Sequence, residues 1–280
     1  MEYKEYKPHK LLSGFVECYW SALADKPPFR EEESLIPDGT IELMFNFGDN
    51  YSQIKNGKKA EVKGSHVIGI RQNSLRISQT NNQNIFSVRF KLGGIYPFLK
   101  IPVYSFANDF FELDLLLGND YKEIEEKLYE AKTGEKRTAI MDDYLLRKIP
   151  GKCYDEYLSV EASLNFLLKN SYQDIKNITG SLNTNYKSLE RNFQKVIGLT
   201  PAEVLKIRRF NNAVHSMYSC VYNSLTEVAY NCGYFDQSHF IREFKQLTTF
   251  TPREFLKEQF TIVQVIQPAL AGRLSKMYNL

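Results

Sequence analysis

The 280-residue sequence contains few of the residues that build metal centres, disulfide frameworks or membrane spans. Its four cysteines lie far apart and none forms a CxxC pair, which favours free buried thiols in a reducing compartment. Its four histidines show no ligand spacing, so no structural zinc is expected. No apolar run approaches the ~20 residues that cross a bilayer, and the first residues lack the basic start and apolar core of a signal peptide. We therefore expect a cytoplasmic protein without a membrane segment.

An excess of charge of one sign is also missing. The chain has 36 Lys and Arg against 33 Asp and Glu, a net charge of +3. Bulk charge alone does not indicate nucleic acid, so DNA binding would depend on where the basic side chains are placed. Residues 1–150 also lack a phosphate loop, catalytic-triad spacing and paired carboxylates at a strand end. The sequence therefore predicts neither an enzyme nor a cofactor.

Residues 1–150 are predicted to form a mostly antiparallel β domain with packed helices. Apolar residues alternate with polar ones over 41–47 and again over 86–92, a period of two that predicts half-buried strands. Turn residues at 37–39 and 56–57 separate such strands. Several strands with turns between them predict a small antiparallel sheet or barrel, and the pattern leaves the choice between the two open.

Helices are predicted at 121–131, 138–148 and 156–169, where apolar residues recur at helical spacing. Residues 150–151, Pro followed by Gly, mark the predicted end of the first domain. The apolar stretch 106–117 has two interpretations. It fits packing under the sheet, and it also fits a hydrophobic ligand pocket or a subunit contact.

The most informative stretch is 225–257, whose pattern predicts a helix, a turn, a second helix and a third capped helix. Ser224 and Glu227 fit an N-cap and capping box at the start of the first helix. Gly233 stands at the turn, where a residue without a Cβ adopts positive φ freely. Asp236 is a suitable N-cap for the second helix. The stretch therefore predicts two short helices joined by a tight turn.

On the second of these helices, Phe240 and Phe244 lie four residues apart and point inward together. The other face carries Gln237, Ser238, Ile241, Arg242 and Lys245, with His239 beside it. Amide, hydroxyl and guanidinium groups on one outward face suit the major groove of DNA, where base edges offer hydrogen-bond donors and acceptors.

The same pattern occurs a second time, 51 residues earlier. Residues 251–257 and 200–206 are identical at five of seven positions. The same offset pairs Asp236 with Asn185, Phe240 with Leu189, Arg242 with Arg191 and Phe244 with Phe193. The outward residues of the earlier copy are Tyr186, Lys187, Glu190, Arg191 and Gln194. Two copies in tandem indicate two similar helical units, connected by a helix that starts at Thr200 and runs to about Tyr218.

At these residues the chain resembles a known family. GYFDQSHFIREFK followed by TPREF resembles the second helix-turn-helix of AraC/XylS-type transcription regulators, and NYKSLERNFQKVIGLTPAEVLKIRRF resembles the first. The resemblance covers 157–257 and implies two helix-turn-helix subdomains joined by a long helix, in a bacterial cytoplasmic regulator. Thr249 stands where the family usually has Gly, and Ile178 stands where the second copy has Ala229. These departures predict a modified helix end and a differently filled core.

The segments KLLSGFVECYW, LIPDGTIELMFNFGD and SVRFKLGGIYPFLKIP resemble a poorly understood domain that often precedes such DNA-binding domains. In the family, the N-terminal half usually senses a signal or dimerises. We therefore predict an α+β protein with three parts. These are a β-rich sensory or oligomerisation domain at 1–150, an all-α double helix-turn-helix domain at 154–260, and a tail at 261–280 without an assigned function.

The exposed faces and the resemblance predict a sequence-specific regulator that binds double-stranded DNA. Two exposed helices roughly 34 Å apart would enter successive segments of the major groove. Arg191 and Arg242 suit guanine O6 and N7, and Gln237 suits adenine. Phosphate contacts are predicted for Lys187, Lys195, Arg209 and Lys245.

Several of these residues have two open interpretations. Asn185 and Ser238 suit either a base or a phosphate. His239 contacts DNA or packs beside the core, and Tyr186 stacks on a sugar or covers the start of its helix. Glu190 accepts a hydrogen bond from cytosine N4 or neutralises a basic neighbour. The two arginines of the exposed faces could instead pair with a carboxylate at the edge of the core.

Two other functional classes stay open. Some repair alkyltransferases carry this type of DNA-binding unit, but they need an activated cysteine beside basic or metal partners, and no cysteine has such neighbours in the sequence. The second alternative is a protein-interaction module that has lost DNA binding. Further candidate partners are RNA polymerase, an unidentified small-molecule effector and a second copy of the chain.

Overall fold

The computed structural model describes residues 2–24, 31–79, 82–169, 185–219, 223–258 and 260. The predictions that concern Ile178, Cys220 and the tail at 261–280 lie outside these residues. None of the described helices has the length and apolar character that a membrane crossing requires. In the same residues, no group of three or more His, Cys, Asp or Glu side chains is placed to hold a metal ion.

The N-terminal region folds into two antiparallel sheets. The first has the strand order β1 (Glu2–Tyr6), β2 (Val16–Ala24), β9 (Gln83–Phe90), β4 (Ile41–Asn46), β7 (His66–Ile68) and β10 (Phe110–Glu112). The second has the order β3 (Glu32–Leu35), β8 (Leu75–Ser78), β5 (Tyr51–Lys55) and β6 (Lys58–Val62). The predicted antiparallel sheet is confirmed, and the described strands form open sheets, not a closed barrel.

The six-stranded sheet lies between the four-stranded sheet and a layer of helices. Leu43 of β4 is opposite Val88 of β9, and both belong to a core that also contains helix residues. Met44 belongs to a separate core shared with β5 and β8. Every residue of β4 is buried. The strand predicted to be half-buried over 41–47 is therefore buried on both faces, because the second sheet covers its polar side.

Helices follow the sheets along the chain. They are α1 (Tyr96–Leu99), α2 (Asp114–Leu117), α3 (Asp120–Glu130), α4 (Gly134–Lys148) and α5 (Asp155–Lys169), with 3-10 turns at Lys10–Leu12 and Val103–Phe106. In the apolar stretch 106–117, Leu113 and Leu117 are buried in the main core, while Leu115 is 67% exposed. These two leucines therefore pack as structural residues.

The C-terminal region is helical, as predicted. Its described helices are α6 (Tyr186–Ile197), α7 (Pro201–Tyr218), α8 (Leu225–Asn231), α9 (Gln237–Thr248) and α10 (Pro252–Glu258). The capping box predicted at the start of the connecting helix α7 is present. The Thr200 N–H donates to Glu203 Oε2 at 2.8 Å, and the Glu203 N–H donates to Thr200 Oγ1 at 3.2 Å. Caps and apolar spacing thus set the bounds of these helices.

The main core does not stop at the end of the β-rich region. It continues from the six-stranded sheet through α5 to Phe193 and Val196 of α6 and Val204 of α7. A second core, built around Phe240 and Phe244, holds α8, α9 and α10 together and includes Ile36 from the β-rich region. The first helical unit therefore shares its core with the β-rich region, and the second unit has its own.

Candidate nucleic-acid interface

The first candidate reading helix, α6, forms because polar caps bound an amphipathic segment. The Ser188 N–H donates to Asn185 Oδ1 at 2.8 Å, and the helix ends at Gly198, whose φ is 87°. Leu189 and Phe193 lie one turn apart and are buried. Burial of this side turns the opposite side of α6 to solvent.

The second candidate reading helix, α9, repeats this construction. The His239 N–H donates to Asp236 Oδ1 at 2.6 Å, and Phe240 and Phe244 are fully buried. The helix ends at Thr249, whose φ is 70°. The predicted modified helix end therefore keeps the left-handed geometry of the glycine that ends α6, with a β-branched residue that rarely adopts it.

Each of these helices carries three exposed residues at positions i, i+4 and i+7, which lie along one face. They are Lys187, Arg191 and Gln194 on α6, the α6 stripe, and Ser238, Arg242 and Lys245 on α9, the α9 stripe. The 51-residue offset relates the two stripes member by member, with an arginine in the middle of each. The structure thus places six predicted DNA-binding residues on two equivalent surfaces.

The other predicted residues on these helices flank the stripes. Asn185 and Tyr186 are exposed at the start of α6, and Glu190, Gln237, His239 and Ile241 are half-buried. Gln237 Oε1 accepts a hydrogen bond from Thr226 Oγ1 at 2.7 Å. The His239 ring packs edge-on against Tyr234, with centroids 5.5 Å apart. His239 therefore has the packing contact that one of its two interpretations requires, while part of its ring faces solvent.

Lys195 lies away from the α6 stripe, in contrast to its predicted phosphate contact. Its Nζ donates to Glu156 Oε1 on α5 at 2.9 Å and lies 5.8 Å from the centre of the Tyr96 ring. The hydroxyl of Tyr96 donates to the same Glu156 oxygen at 2.8 Å. The hydrogen bond from Lys195, together with those from the backbone and from Tyr96, lowers the pKa of Glu156 to about 2. Lys195 therefore ties α6 to α5 and to the β-rich region.

Arg209, a partly buried side chain, is engaged by a carboxylate as well, and this differs from its predicted phosphate contact. Its Nε and Nη2 donate to Glu243 Oε1 and Oε2 at 3.1 and 2.6 Å, and its guanidinium lies 4.7 Å from the centre of the Tyr234 ring. Such a bidentate pair adds geometric specificity to its energy. Because Glu243 is on α9, Arg209 sets the position of the second reading helix on the connecting helix.

A loop of the β-rich region, residues 71–74, contacts both helical units; we call it the bridging loop. Gln72 Nε2 donates to Glu203 Oε1 at the start of α7 at 2.9 Å. The Ser74 N–H donates to the Leu247 carbonyl at 2.7 Å, and the Asn73 amide nitrogen donates to the Gln246 carbonyl at 3.1 Å. These carbonyls belong to the last turn of α9, where four carbonyls have no intrahelical partner. The β-rich region thus caps the end of the second reading helix.

A cavity of about 60 Å³ lies between the two sheets, next to the bridging loop. Its lining includes Trp20 and two buried ion pairs. Arg89 Nε donates to Glu42 Oε1 at 2.9 Å, and Arg71 Nη2 donates to Asp38 Oδ1 at 2.5 Å. Arg71 is also the first residue of the bridging loop. A change in the position of Arg71 at the cavity would therefore move the backbone of the bridging loop that caps α9.

Two families match different parts of the chain. Residues 178–258 match a helix-turn-helix domain, and this range contains both stripes. The HTH-type transcriptional activator RhaS of Salmonella paratyphi B is 32% identical over 78 residues, which is 28% of this chain and 28% of RhaS. The C-terminal region is an AraC-type helix-turn-helix domain. In this AraC-type domain, α6 and α9 are the exposed helices of the two units.

Residues 4–112 match a domain of unknown function (DUF6597), in agreement with the predicted N-terminal resemblance. Among solved structures, ToxT from Vibrio cholerae aligns with a TM-score of 0.46 and 11% identity over 85% of this chain and 98% of ToxT. RhaS of Salmonella newport is also 32% identical over 78 residues. The chain spans 28% of the length of the curated relatives that it matches.

Proposed function

We propose that this protein is a transcription regulator that reads a specific sequence of double-stranded DNA with α6 and α9. The observation that carries the proposal is the pair of equivalent, exposed, basic-centred stripes in an AraC-type domain. Both helices are fixed from behind by buried phenylalanines, so the stripes are rigid surfaces. Rigid helices with polar outward faces suit the major groove, whose base edges carry a readable pattern of donors and acceptors.

The residues of the stripes divide into base readers and phosphate holders. Arg191 and Arg242 each pair with guanine O6 and N7 through two parallel N–H donors. Lys187 and Lys245 hold phosphates and supply affinity without sequence information. Gln194 and Ser238 complete the two stripes with polar contacts. The flanking contacts come from Asn185, Tyr186, Glu190, Gln237, His239 and Ile241. Lys195 and Arg209 act indirectly, because their ion pairs position the two helices.

Two buried cysteines, Cys18 and Cys232, do not fit the repair-enzyme alternative. Burial raises the pKa of the Cys18 thiol to about 12, and burial also raises the pKa of Cys232. A repair alkyltransferase needs a cysteine whose pKa is lowered, since the thiolate is the nucleophile. The matched relative RhaS is named a transcriptional activator, and this name supports the proposal that this chain is a regulator.

The regulatory part of the proposal rests on the bridging loop. A ligand or partner that moves this loop removes hydrogen-bond donors from the last turn of α9 and from Glu203. A small effector that widens the adjacent cavity would reach the loop directly, because Arg71 lines this cavity and begins the loop. An effector contact with Arg71 would compete with Asp38 and shift the loop that caps the second reading helix. RNA polymerase and a second copy of the chain stay as predicted partners.

A selection of DNA duplexes from a random library by the full-length chain tests the proposed function. The chain should enrich a two-part sequence, and Lys187→Ala should lower the slope of log affinity against log salt by about 0.9 with the same base preference, because one phosphate contact is lost. Fluorescence anisotropy at several salt concentrations measures this slope. The control is Lys136→Ala, an exposed lysine on α4, which should leave the slope unchanged. Failure to enrich any sequence would refute DNA reading and favour a protein-interaction module.

The capping role of the bridging loop has a separate test by hydrogen exchange. In a Gln72→Ala, Asn73→Ala double variant, amides in the last turn of α9 should exchange faster, because this turn loses a capping donor and the loop loses its anchor on Glu203. Amides of α6 should keep their protection. The matched control is Asn50→Ala, which removes an exposed amide from another loop of the same region. Equal exchange in the last turn of α9 for the double variant and the unaltered chain would exclude this coupling.

A further inference from the structure

Phe235 is the most exposed large apolar side chain among the described residues, at 84% exposure. Leu11, Leu115 and Tyr230, the next after it, are each 67% exposed. A phenylalanine that is exposed to water lacks the favourable free energy of burial that aromatic side chains gain in the core. An exposed ring of this kind indicates contact with another molecule when the local structure has no use for it.

Local structure does not use the Phe235 ring. The residue immediately precedes Asp236, the N-cap of α9, where an apolar side chain often packs against the fourth helical residue. That fourth residue is Phe240, which is fully buried, and its aromatic neighbour is Tyr234, with ring centroids 5.0 Å apart. Tyr234 therefore makes the packing contact, and the ring of Phe235 is left outside.

The backbone holds Phe235 at the start of the second reading helix. Gly233 has a φ of 81°, which turns the chain between α8 and α9, and Tyr234 anchors the turn in the second core. The Phe235 N–H donates to His239 Nδ1 at 3.4 Å. The ring is thus presented three residues before Ser238, the first member of the α9 stripe.

We propose that the Phe235 ring contacts the C5-methyl group of a thymine at the edge of the DNA segment read by α9; this inference rests on the proposed function. In helix-turn-helix docking, the N-terminal end of the reading helix approaches the base edges. A phenyl ring neither donates nor accepts conventional hydrogen bonds, and the apolar feature of the major groove is the thymine methyl. Phe235 therefore adds a preference that the polar stripe cannot supply.

The proposal predicts an asymmetric site. The 51-residue offset places Thr184 at the position of Phe235 in the first copy, and that residue lies outside the described residues. The first copy therefore lacks an aromatic ring at this position. One half of the recognised sequence should contain a thymine whose methyl group contacts Phe235. This thymine identifies the half of the sequence that α9 binds.

Deoxyuridine substitution tests the contact, because it removes only the methyl group of thymine. The probe is the duplex enriched from the random library by the full-length chain, with each thymine replaced in turn. The unaltered chain should bind about fourfold more weakly when one particular thymine is replaced, the ratio expected for loss of one buried methyl-sized group. Phe235→Ala should bind the thymine duplex more weakly and be indifferent to deoxyuridine at that position. Phe235→Leu should keep part of the sensitivity.

Tyr104→Ala serves as the control variant, since it removes another exposed aromatic ring far from α9 in the chain. It should show the same deoxyuridine profile as the unaltered chain. Phe235→Ala that keeps the full deoxyuridine sensitivity would overturn the proposal, whether its overall affinity is unchanged or reduced. If the chain enriches a specific sequence but Phe235→Ala keeps its deoxyuridine sensitivity, only the Phe235 contact is refuted. If the chain enriches no sequence at all, both the proposed function and this inference are refuted.

Discussion

Glu42→Ala should destabilise the protein by about 3–5 kcal/mol, because it removes the hydrogen-bonded carboxylate partner of the buried Arg89. The Glu42 carboxylate is 5% exposed and accepts three hydrogen bonds. The donors are Arg89 Nε at 2.9 Å, Trp20 Nε1 at 2.8 Å and Ser87 Oγ at 2.9 Å. Trp20 is the single tryptophan of the chain, so its fluorescence in a urea titration reports unfolding at this site.

Two variants show whether burial is the reason for this effect. Glu32→Ala breaks the Arg76–Glu32 ion pair, whose side chains are 44% and 40% exposed, and should cost about 0–1 kcal/mol. The combined Glu42→Leu, Arg89→Met variant removes both buried charges, so it should be clearly more stable than Glu42→Ala. Equal losses of stability in Glu42→Ala and Glu32→Ala would contradict the buried ion pair as a determinant of the fold.

The same glutamate shows where local sequence patterns stop being informative. Alternation over 41–47 predicts a strand with one solvent face, and Glu42 falls on that face. The structure covers this face with β5 and β8, so Glu42 needs a charged partner from β9. Period-two alternation reports which residues share a face, but it does not report whether a second sheet packs there.

The two reading helices were predictable because their signals are local. Asn185 and Asp236 cap the helices through side-chain acceptors, and the buried residues repeat at helical spacing. The offset of 51 residues then identifies the equivalent exposed positions without any tertiary information. Even Thr249, a departure from the usual glycine, takes the same left-handed conformation, since the chain must end α9 at that point.

Lys195 and Arg209 show the limit of the same reasoning. Helical spacing places both near outward faces, which predicts side chains without an intramolecular partner that can contact phosphate. Their partners, Glu156 and Glu243, lie 39 and 34 residues away in the chain. The pairings depend on how α5 packs on α6 and how α7 packs on α9. Nothing in the local pattern encodes these tertiary contacts, and the bridging loop was missed for the same reason.

The two reading helices are tied to the β-rich region in different ways. Phe193 of α6 is part of the core that runs through the six-stranded sheet, so α6 cannot move without repacking that core. A Cβ at Gly198, at the end of α6, would lie 2.8 Å from Ile70 of the β-rich region. α9 has its own core and meets the β-rich region through the bridging loop and Ile36. A signal in the β-rich region would therefore change the position of α9 more readily than that of α6.

An Arg191→Ala, Arg242→Ala double variant should lose most of its preference for the enriched sequence. Each bidentate contact with guanine supplies about 1–3 kcal/mol of discrimination, so the two together supply roughly 2–6 kcal/mol. This corresponds to a loss of between roughly 30-fold and 10⁴-fold in the ratio of specific to non-specific affinity. Competition binding against a scrambled duplex measures that ratio.

Two readouts separate base reading from other roles of these arginines. Both side chains are exposed, so the free energy of unfolding should change by less than about 0.5 kcal/mol. The slope of log affinity against log salt should change less in the double variant than in Lys187→Ala. A guanidinium that contacts guanine displaces fewer phosphate counterions than a lysine that contacts phosphate. A double variant that keeps its sequence preference would exclude these residues as base readers. Loss of affinity for all sequences, with a lower salt slope, would instead make them phosphate contacts.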